Sequence, residues 1–150
     1  MIIRNATKED ISAIMTIELE SFDSREVFPV RQFLYYLQLF EDGFFVAVDS
    51  SGFIAGYAIL AFTPSLGYVL SIAVHPKRRK QGYASALLDL LESKCHARGI
   101  SNLRLDVRVN NTAAIGLYKK RGLTELKIKK DFYGKGHDAL SMGKPVAPKL

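Results

Sequence analysis

The segment from 74 to 88 constrains the fold and the chemistry of this chain more than any other. An apolar run ends at Val74, a short basic loop follows, and a helix begins near Gly82. The first turn of a helix carries amide N–H groups without intrahelical acceptors, and with the helix dipole they attract an anion. Gly82 lacks a Cβ at the place where a ligand must approach the backbone. The segment therefore predicts a pyrophosphate site directly after a strand.

Two common phosphate loops do not fit this segment. It has neither the Gly-Lys-Ser/Thr of a nucleotide P-loop nor the Gly-x-Gly-x-x-Gly of a dinucleotide-binding fold. Its pattern is Arg79-x-x-Gly82-x-Ala84, and Arg78 and Lys80 add positive charge. A basic loop before an ordinary surface helix is the alternative that this short pattern leaves open.

The composition is that of one soluble globular domain. A chain of 150 residues can bury a sizeable core, and 48% hydrophobic and 24% charged residues are ordinary fractions. No apolar run reaches the roughly 18 residues that cross a bilayer. Residues 1–4 resemble a strand start rather than a signal peptide. We therefore expect a cytoplasmic protein with no membrane association.

Net charge and cysteine usage narrow the classes of partner. The net charge of +6 is compatible with an anionic cofactor, an acidic partner or nucleic acid, and the basic residues cluster at 77–80, 119–121 and 127–130. No aromatic stripe interleaves with these clusters and no helix-turn-helix pattern occurs, which disfavours nucleic acid. The single cysteine, Cys95, excludes an intrachain disulfide, and the histidines lack metal-ligand spacing, so no metal is expected.

Hydrophobic periodicity predicts the element order β-α-α-β-β-β-α-β-α-β-β. The expected strands cover 2–4, 44–48, 53–61, 68–74, 103–107, about 126–128 and 138–142, and the expected helices cover 7–20, 29–39, 84–98 and 111–120. This order predicts the α/β (α+β) class, with a mixed sheet flanked by helices on both faces. Helix 84–98 makes its two flanking strands parallel. We expect one domain over residues 1–145 and a frayed tail over 146–150, with Pro145 at its start.

The segment from 105 to 123 carries a second motif, which has to be interpreted together with the segment from 74 to 88. A strand is followed by Asn111, by paired alanines, and by Leu117-Tyr118-x-x-x-Gly122-Leu123. Together, in this order, the two segments resemble the cofactor motifs of the GNAT acetyltransferases, with Leu123 where that family commonly has Phe. Residues 132–142 resemble the C-terminal segment of the GNAT branch that acetylates the N-terminal alanine of ribosomal proteins. The resemblance covers residues 68–145 well and the first helices in outline.

The resemblance implies a single GNAT-like domain with a mostly antiparallel sheet. It also implies an acyltransferase that moves an acetyl group from acetyl-CoA to a primary amine by direct attack. In that family the strand backbone at Ile72, Ala73 and Val74 meets the thioester and the pantetheine arm. The loop and helix start that bind the pyrophosphate correspond to Arg79, Lys80, Gln81, Gly82, Tyr83, Ala84 and Ser85. Asn111 corresponds to a residue that contacts the pantetheine arm, and it is also a good helix N-cap.

Two residues are the candidates for acid–base chemistry. Tyr118 occupies the position of the family's general acid, and a tyrosine is protonated at neutral pH because its ordinary pKa is near 10. The alternative is a core tyrosine that packs its helix against the sheet. Asp106 stands where the related branch has Glu, so it is a candidate base, directly or through a water. Its alternative is an ion pair with Arg104 or Arg108.

The acceptor is the part of the reaction that the sequence leaves open. The alanine-directed relatives have a Trp between the first two helices, whereas this chain contains none. We expect Phe22 and Phe28 to form one wall of the acceptor site and Tyr133 the other. A protein N-terminus, a lysine side chain and a small amine all remain candidates, and a cationic acceptor would be favoured if Asp23, Glu26, Glu41 and Asp42 faced it. A non-catalytic acyl-CoA-binding module and a basic nucleic-acid binder are the alternative functions, and a homodimer is compatible with the sequence.

Overall fold

The computed structural model describes residues 1–22 and 26–148. The chain forms two compact units, which are described separately below. The first unit comprises Met1–Ala61 and Leu70–Asp89, and the second comprises Phe62–Val69 and the chain from Leu90 onward. Asp23, one of the acidic residues singled out for the acceptor, lies outside the described residues.

In the described part of the chain, seven strands form the sheet in the order β1-β2-β3-β4-β5-β7-β6. They are β1 (Ile2–Asn5), β2 (Phe44–Val48), β3 (Ile54–Phe62), β4 (Leu66–Val74), β5 (Asn102–Arg108), β6 (Thr124–Lys129) and β7 (Ala139–Pro145). Strands β4 and β5 pair in parallel, as expected for two strands joined through a helix. The pairs β1–β2, β2–β3, β5–β7 and β6–β7 are antiparallel. The prediction of a mixed, mostly antiparallel sheet is confirmed.

Within residues 1–22 and 26–148, four α-helices complete the predicted order. They are α1 (Ile11–Ser21), α2 (Val30–Leu39), α3 (Tyr83–Ala97) and α4 (Thr112–Lys120). A short 3₁₀ turn at Lys8–Asp10 precedes α1, and the Asp10 carboxylate accepts the Thr7 N–H at 2.8 Å, as the capping pattern predicts. Pro29 is the N-cap of α2 rather than its first helical residue.

The first unit has an aromatic and aliphatic core. Phe33 of α2 is fully buried, and its ring centroid lies 5.8 Å from those of Tyr57 and of Phe28. Burial of one such side chain contributes about 1.5–3 kcal/mol. The buried members of this cluster are Ile11, Ile14, Ile17, Phe33, Phe44, Val46, Tyr57, Ile59 and Ala73.

The second unit buries one face of β5. Leu103, Leu105 and Val107 are buried, as their alternation predicts, and so is Cys95 on the C-terminal half of α3. The similar alternation in β6 does not bury its apolar side chains, because β6 is the edge strand of the sheet. Leu126 is 48% exposed and Ile128 is 56% exposed.

The expectation of a frayed tail beginning at Pro145 is wrong for its first residues. Strand β7 continues to Pro145, and Val146 is buried. The Val146 N–H donates to the Ser101 carbonyl at 2.9 Å, and the Ala147 carbonyl lies 2.8 Å from His96 Nδ1. One buried apolar side chain and two contacts of the backbone therefore hold this segment. Residues 149 and 150 lie outside the described part of the chain.

Candidate active site

The basic loop after β4 is held by the turn between β2 and β3. Arg78 Nε donates to Asp49 Oδ2 at 2.9 Å, and its guanidinium lies 4.5 Å from the centroid of the Phe53 ring. The Asp49 carboxylate also accepts the Ser51 hydroxyl and the N–H groups of Ser51 and Phe53. The bonds from the Ser51 hydroxyl and from Arg78, with smaller contributions from the two N–H groups, hold the pKa of Asp49 well below its usual value. Arg78 therefore anchors the loop, although the sequence had grouped it with the charges offered to a phosphate.

His75 has a structural role in the same loop. It is buried, and its Nδ1 accepts the Lys77 N–H at 3.1 Å, which caps the 3₁₀ turn Pro76–Arg78. Its Nε2 lies 3.5 Å from a carboxylate oxygen of Glu20. The turn places the next residue, Arg79, beside the end of β4, where Arg79 Nε donates to the Val74 carbonyl at 3.2 Å.

The backbone between Arg79 and α3 has two left-handed residues. Lys80 has φ 61° and Gly82 has φ 90°, and no atom lies within 4 Å of the place where a Cβ of Gly82 would be. Lys80, Gln81 and Gly82 are exposed. Gly82 is therefore required by its own backbone conformation, and it also leaves an open approach to the helix start.

The first turn of α3 provides the donors that an anion needs. The Ala86 N–H is the first to reach a helix carbonyl, that of Gly82, at 3.0 Å. Among the described residues no group accepts the N–H of Tyr83, Ala84 or Ser85. The Tyr83 side chain is buried, so this residue offers its backbone rather than its hydroxyl. A 15-residue helix whose first three amides have no acceptor among the described residues fits a pyrophosphate.

The end of β4 packs closely on β3. A Cβ added to Gly56 would lie 2.9 Å from the Ala73 carbonyl oxygen, so only glycine allows this approach. Ala73 is buried, whereas Ile72 and Val74 are half-buried. The residues expected to meet the thioester through their backbone therefore lie on a fixed strand.

Tyr118 presents an unused hydroxyl in the second unit. The residue is only 7% exposed, and no described residue hydrogen-bonds its hydroxyl group. Burial raises the pKa of Tyr118 to about 12, so the group is protonated at neutral pH. Asn111, at the start of the same helix α4, accepts the Ala114 N–H at 3.2 Å, which confirms the predicted N-cap.

Asp106 is buried in a polar cluster. Its side chain is 2% exposed, and its Oδ2 accepts from the Tyr68 hydroxyl and from Lys129 Nζ, the latter at 3.0 Å. The alternative of an ion pair with Arg104 or Arg108 is not what the structure has, because these partners come from the neighbouring β4 and from β6. Its Oδ1 is buried and has no hydrogen-bond partner among the described residues. One carboxylate oxygen is therefore fixed by a cation, and the other is buried without a partner among the described residues.

Tyr133 lies within the same electrostatic environment. It is half-buried, and the Arg108 guanidinium lies 5.8 Å from the centroid of its ring. Burial, with smaller contributions from the charges of Asp106 and Tyr118, raises the pKa of Tyr133 to about 12. The second unit thus brings together three of the predicted site residues, Tyr118, Asp106 and Tyr133.

Phe22 and Phe28 lie at the two ends of the loop between α1 and α2. Both are half-buried and pack on the core of the first unit. The Phe28 ring lies 5.8 Å from that of Tyr36, and its N–H donates to Glu18 Oε1 at 3.1 Å. Residues 23–25 of the predicted acceptor wall are outside the described part of the chain.

Sequence reasoning missed three polar residues that the structure places beside the predicted ones. Tyr68 lies within the parallel pairing of β4 with β5, Lys129 ends β6, and Glu18 lies on the apolar side of α1. Glu18 had a usable signal, since an acidic residue among Ile11, Ile14 and Ile17 is unusual in a helix face that packs on a core. Tyr68 and Lys129 had no such sequence signal, because their contacts with Asp106 depend on the order of the strands in the sheet.

No group of three or more His, Cys, Asp or Glu side chains in residues 1–22 and 26–148 could hold a metal ion. None of the helices described above is both long and apolar enough to span a membrane.

Comparison with known proteins defines the class of the chain. Residues 11–123 match the family described as Acetyltransferase (GNAT). The chain is 35% identical over 156 residues to an N-alpha-acetyltransferase of Sulfurisphaera tokodaii, covering 96% of this chain and 92% of the relative. It is 32% identical over 143 residues to a putative ribosomal protein bS18 alanine N-acetyltransferase of Bacillus subtilis, covering 93% and 92%. The crystal structure of Ard1 from Thermoplasma volcanium superposes with a TM-score of 0.91 at 25% identity, covering 97% of both chains.

The chain belongs to the GNAT acetyltransferase family. It is an enzyme, an N-acetyltransferase that transfers an acetyl group to an amine.

Proposed function

We propose that this enzyme transfers the acetyl group of acetyl-CoA to the N-terminal α-amine of a protein or peptide. The names of its relatives point to α-amines. The observation that carries the proposal is the pairing of buried Asp106 with Lys129. A lysine side chain or a polyamine fits this arrangement less well.

The acceptor amine must be neutral to attack a thioester. An α-amine has an ordinary pKa near 7.7–8.0 and a lysine amine one near 10.4. At the same pH, deprotonation of the lysine amine costs about 3.4 kcal/mol more, because one pKa unit is worth about 1.36 kcal/mol. A site without a strong base therefore selects α-amines.

Lys129 strengthens this selection. Its ammonium lies 3.0 Å from one oxygen of Asp106, so an acceptor at the other oxygen is within a few ångströms of a positive charge. A neighbouring cation disfavours the ammonium form of the acceptor. Asp106 Oδ1 then accepts an N–H of the neutral amine, directly or through a water, and takes up its proton as the C–N bond forms.

Other residues hold the co-substrate, which supplies an activated acetyl thioester. The amides of Tyr83, Ala84 and Ser85, with Lys80 and Gln81 beside Gly82, bind the pyrophosphate. Arg79, through its hydrogen bond to the Val74 carbonyl, fixes the C-terminal end of β4. The backbone of Ile72, Ala73 and Val74 and the side chain of Asn111 align the pantetheine arm. Tyr118 donates its hydroxyl proton in a hydrogen bond to the departing sulfur.

The acceptor and the cellular setting complete the proposal. Phe22 and Phe28 in the first unit, and separately Tyr133 in the second, are the residues that we assign to the bound N-terminus. The enzyme acts in the cytoplasm, as a monomer or a homodimer, and needs no nucleic acid or metal. The cluster of lysines at 127–130 serves the acceptor site rather than a nucleic-acid surface.

A pair of peptides tests the choice of amine. One carries a free N-terminal alanine and no lysine, and the other has an acetylated N-terminus and a single lysine. Spermidine serves as the small amine. Release of the CoA thiol and the mass of the product are measured for each. We expect turnover of the free N-terminus alone, and equal turnover of the blocked lysine peptide would contradict the proposal.

A further inference from the structure

A buried carboxyl group in the first unit has no part in the reaction described above. Glu18 of α1 is fully buried. Its Oε1 accepts the Phe28 N–H at 3.1 Å, and its Oε2 accepts the Tyr57 hydroxyl. Tyr57 of β3 is also fully buried, and its hydroxyl lies 2.8 Å from Ser71 Oγ on β4. One carboxyl group thus connects the loop after α1 with β3 and β4.

Packing alone does not account for a glutamate at this position. Removing a carboxylate from water costs several kcal/mol, and no cationic side chain among the described residues contacts Glu18. Its burial raises the pKa of Glu18 above the ordinary value, although the hydrogen bonds from Tyr57 and Phe28 oppose this shift. An apolar side chain of similar volume would fill the space without that cost. The two donors that Glu18 satisfies are what distinguish it from such a side chain.

The ends of this hydrogen-bonded chain lie in functional segments. At one end is Phe28, in the proposed wall of the acceptor site. At the other is Ser71, directly before the backbone of Ile72–Val74 that is proposed to hold the thioester. A shift of either segment by about 1 Å changes the distance between nucleophile and carbonyl, to which transfer rates are very sensitive.

We propose that Glu18 is a positioning residue, which fixes the acceptor loop through the Phe28 amide and couples it to β4 through Tyr57 and Ser71. This role rests on the proposed function, because that function assigns Phe28 to the acceptor. Glu18 itself touches neither substrate. Loss of the carboxyl group should therefore weaken acceptor binding more than it slows the chemical step.

Two substitutions at this position separate hydrogen bonding from packing. Glu18→Ala leaves the Phe28 amide and the Tyr57 hydroxyl without their acceptor, and we expect the acceptor KM to rise about tenfold with kcat changed less than about threefold. Glu18→Gln keeps an oxygen for the Phe28 amide, while its NH₂ donates to Tyr57, whose hydroxyl turns toward Ser71. We expect the Gln variant to restore KM to within about threefold of wild type. The Kd for CoA should stay the same in both.

A matched control removes a buried carboxylate near the other end of α1. Asp10 is 4% exposed, pairs with Arg4 at 2.7 Å, and contacts neither Phe28 nor Ser71. Asp10→Ala should therefore lower stability without raising the acceptor KM. If Glu18→Ala raises KM no more than Asp10→Ala, or if Glu18→Gln fails to restore it, Glu18 is only a stabilising residue and the inference is wrong.

A second variant covers the case in which Glu18→Ala does not fold. Tyr57→Phe keeps the ring in the core and breaks only the links to Glu18 and Ser71. It should raise the acceptor KM, and an unchanged KM would overturn the proposed coupling. All KM values are measured with whichever amine the wild-type enzyme acetylates. A wild-type enzyme without α-amine product would instead contradict the proposed function.

Discussion

The Tyr118 hydroxyl gives the sharpest test of the proposed chemistry. Because no described residue hydrogen-bonds it, Tyr118→Phe removes no protein–protein hydrogen bond. We expect the free energy of unfolding to change by less than about 0.5 kcal/mol, since the ring and its packing remain. A large loss of activity with this small change in stability would assign the hydroxyl to catalysis.

The raised pKa of Tyr118 sets the size of the expected effect. A thiol has an ordinary pKa near 8.5, whereas burial raises that of Tyr118 to about 12. Complete transfer of its proton to the departing thiolate would be uphill by about 3.5 units, or about 5 kcal/mol. Tyr118 is therefore better suited to donate a hydrogen bond to the developing charge. A hydrogen bond to a charged group is worth about 1.5–3 kcal/mol, which corresponds to a loss of about 10- to 150-fold in kcat.

The assay follows CoA thiol release under saturating acetyl-CoA and peptide, together with calorimetric titration of CoA. The Phe variant should bind CoA as tightly as wild type and lose activity equally in kcat and kcat/KM, because the bond forms only in the transition state. Wild-type kcat in the variant would show that Tyr118 only packs. A loss beyond about 10⁴-fold would contradict the hydrogen-bond argument and require full proton transfer.

Three further predictions test the cofactor loop, the acceptor cation and the buried glutamate. Gly82→Ala should weaken CoA binding at least tenfold. The control variant Gly52→Ala, at a similar φ of 88° in an open turn, should lose comparable stability and keep its CoA affinity. Equal CoA affinities in the two variants would refute the pyrophosphate site. Lys129→Met should move the acidic limb of the kcat/KM pH profile upward by about one pH unit, because loss of a nearby cation raises the pKa of the acceptor amine. Lys127→Met, on the same strand, should leave the acidic limb in place. Burial raises the pKa of Glu18, so its contribution to stability is fully present below pH 4.5, its ordinary value, and is lost as the pH rises through the folded value. Urea denaturation of wild type and Glu18→Gln across that range should show wild type losing stability relative to the variant, and a pH-independent difference would contradict the raised pKa.

The sequence predicted the elements well because their signals are local. Helix α3 follows from the spacing of Leu87, Leu91 and Cys95, and β5 from strict alternation. The errors occurred where a tertiary contact decided the outcome. Val146 is held by Ser101, which is 45 positions earlier in the chain, and no local pattern reports such a contact. The edge position of β6 likewise depends on the order of strands.

The candidate site was predictable in its motifs and less so in its electrostatics. The positive φ of Gly82 and the N-cap at Asn111 agree with what their sequence context requires. The sequence offered only the arginines on the same strand as alternative partners of Asp106, whereas Lys129 belongs to a strand that lies two places away in the sheet. The sequence shows where charged residues cluster along the chain. Which residues they pair with depends on the order of the strands in the sheet.

The burial of Cys95 has a practical consequence for measuring this enzyme. The thiol is fully buried, and desolvation raises its pKa to about 11, so very little reactive thiolate is present at neutral pH. As the chain has one cysteine, a thiol-specific chromophore added during turnover should count released CoA with almost no background from the folded enzyme. In the absence of substrate the same reagent becomes a probe of opening, because labelling of Cys95 requires exposure of the C-terminal half of α3.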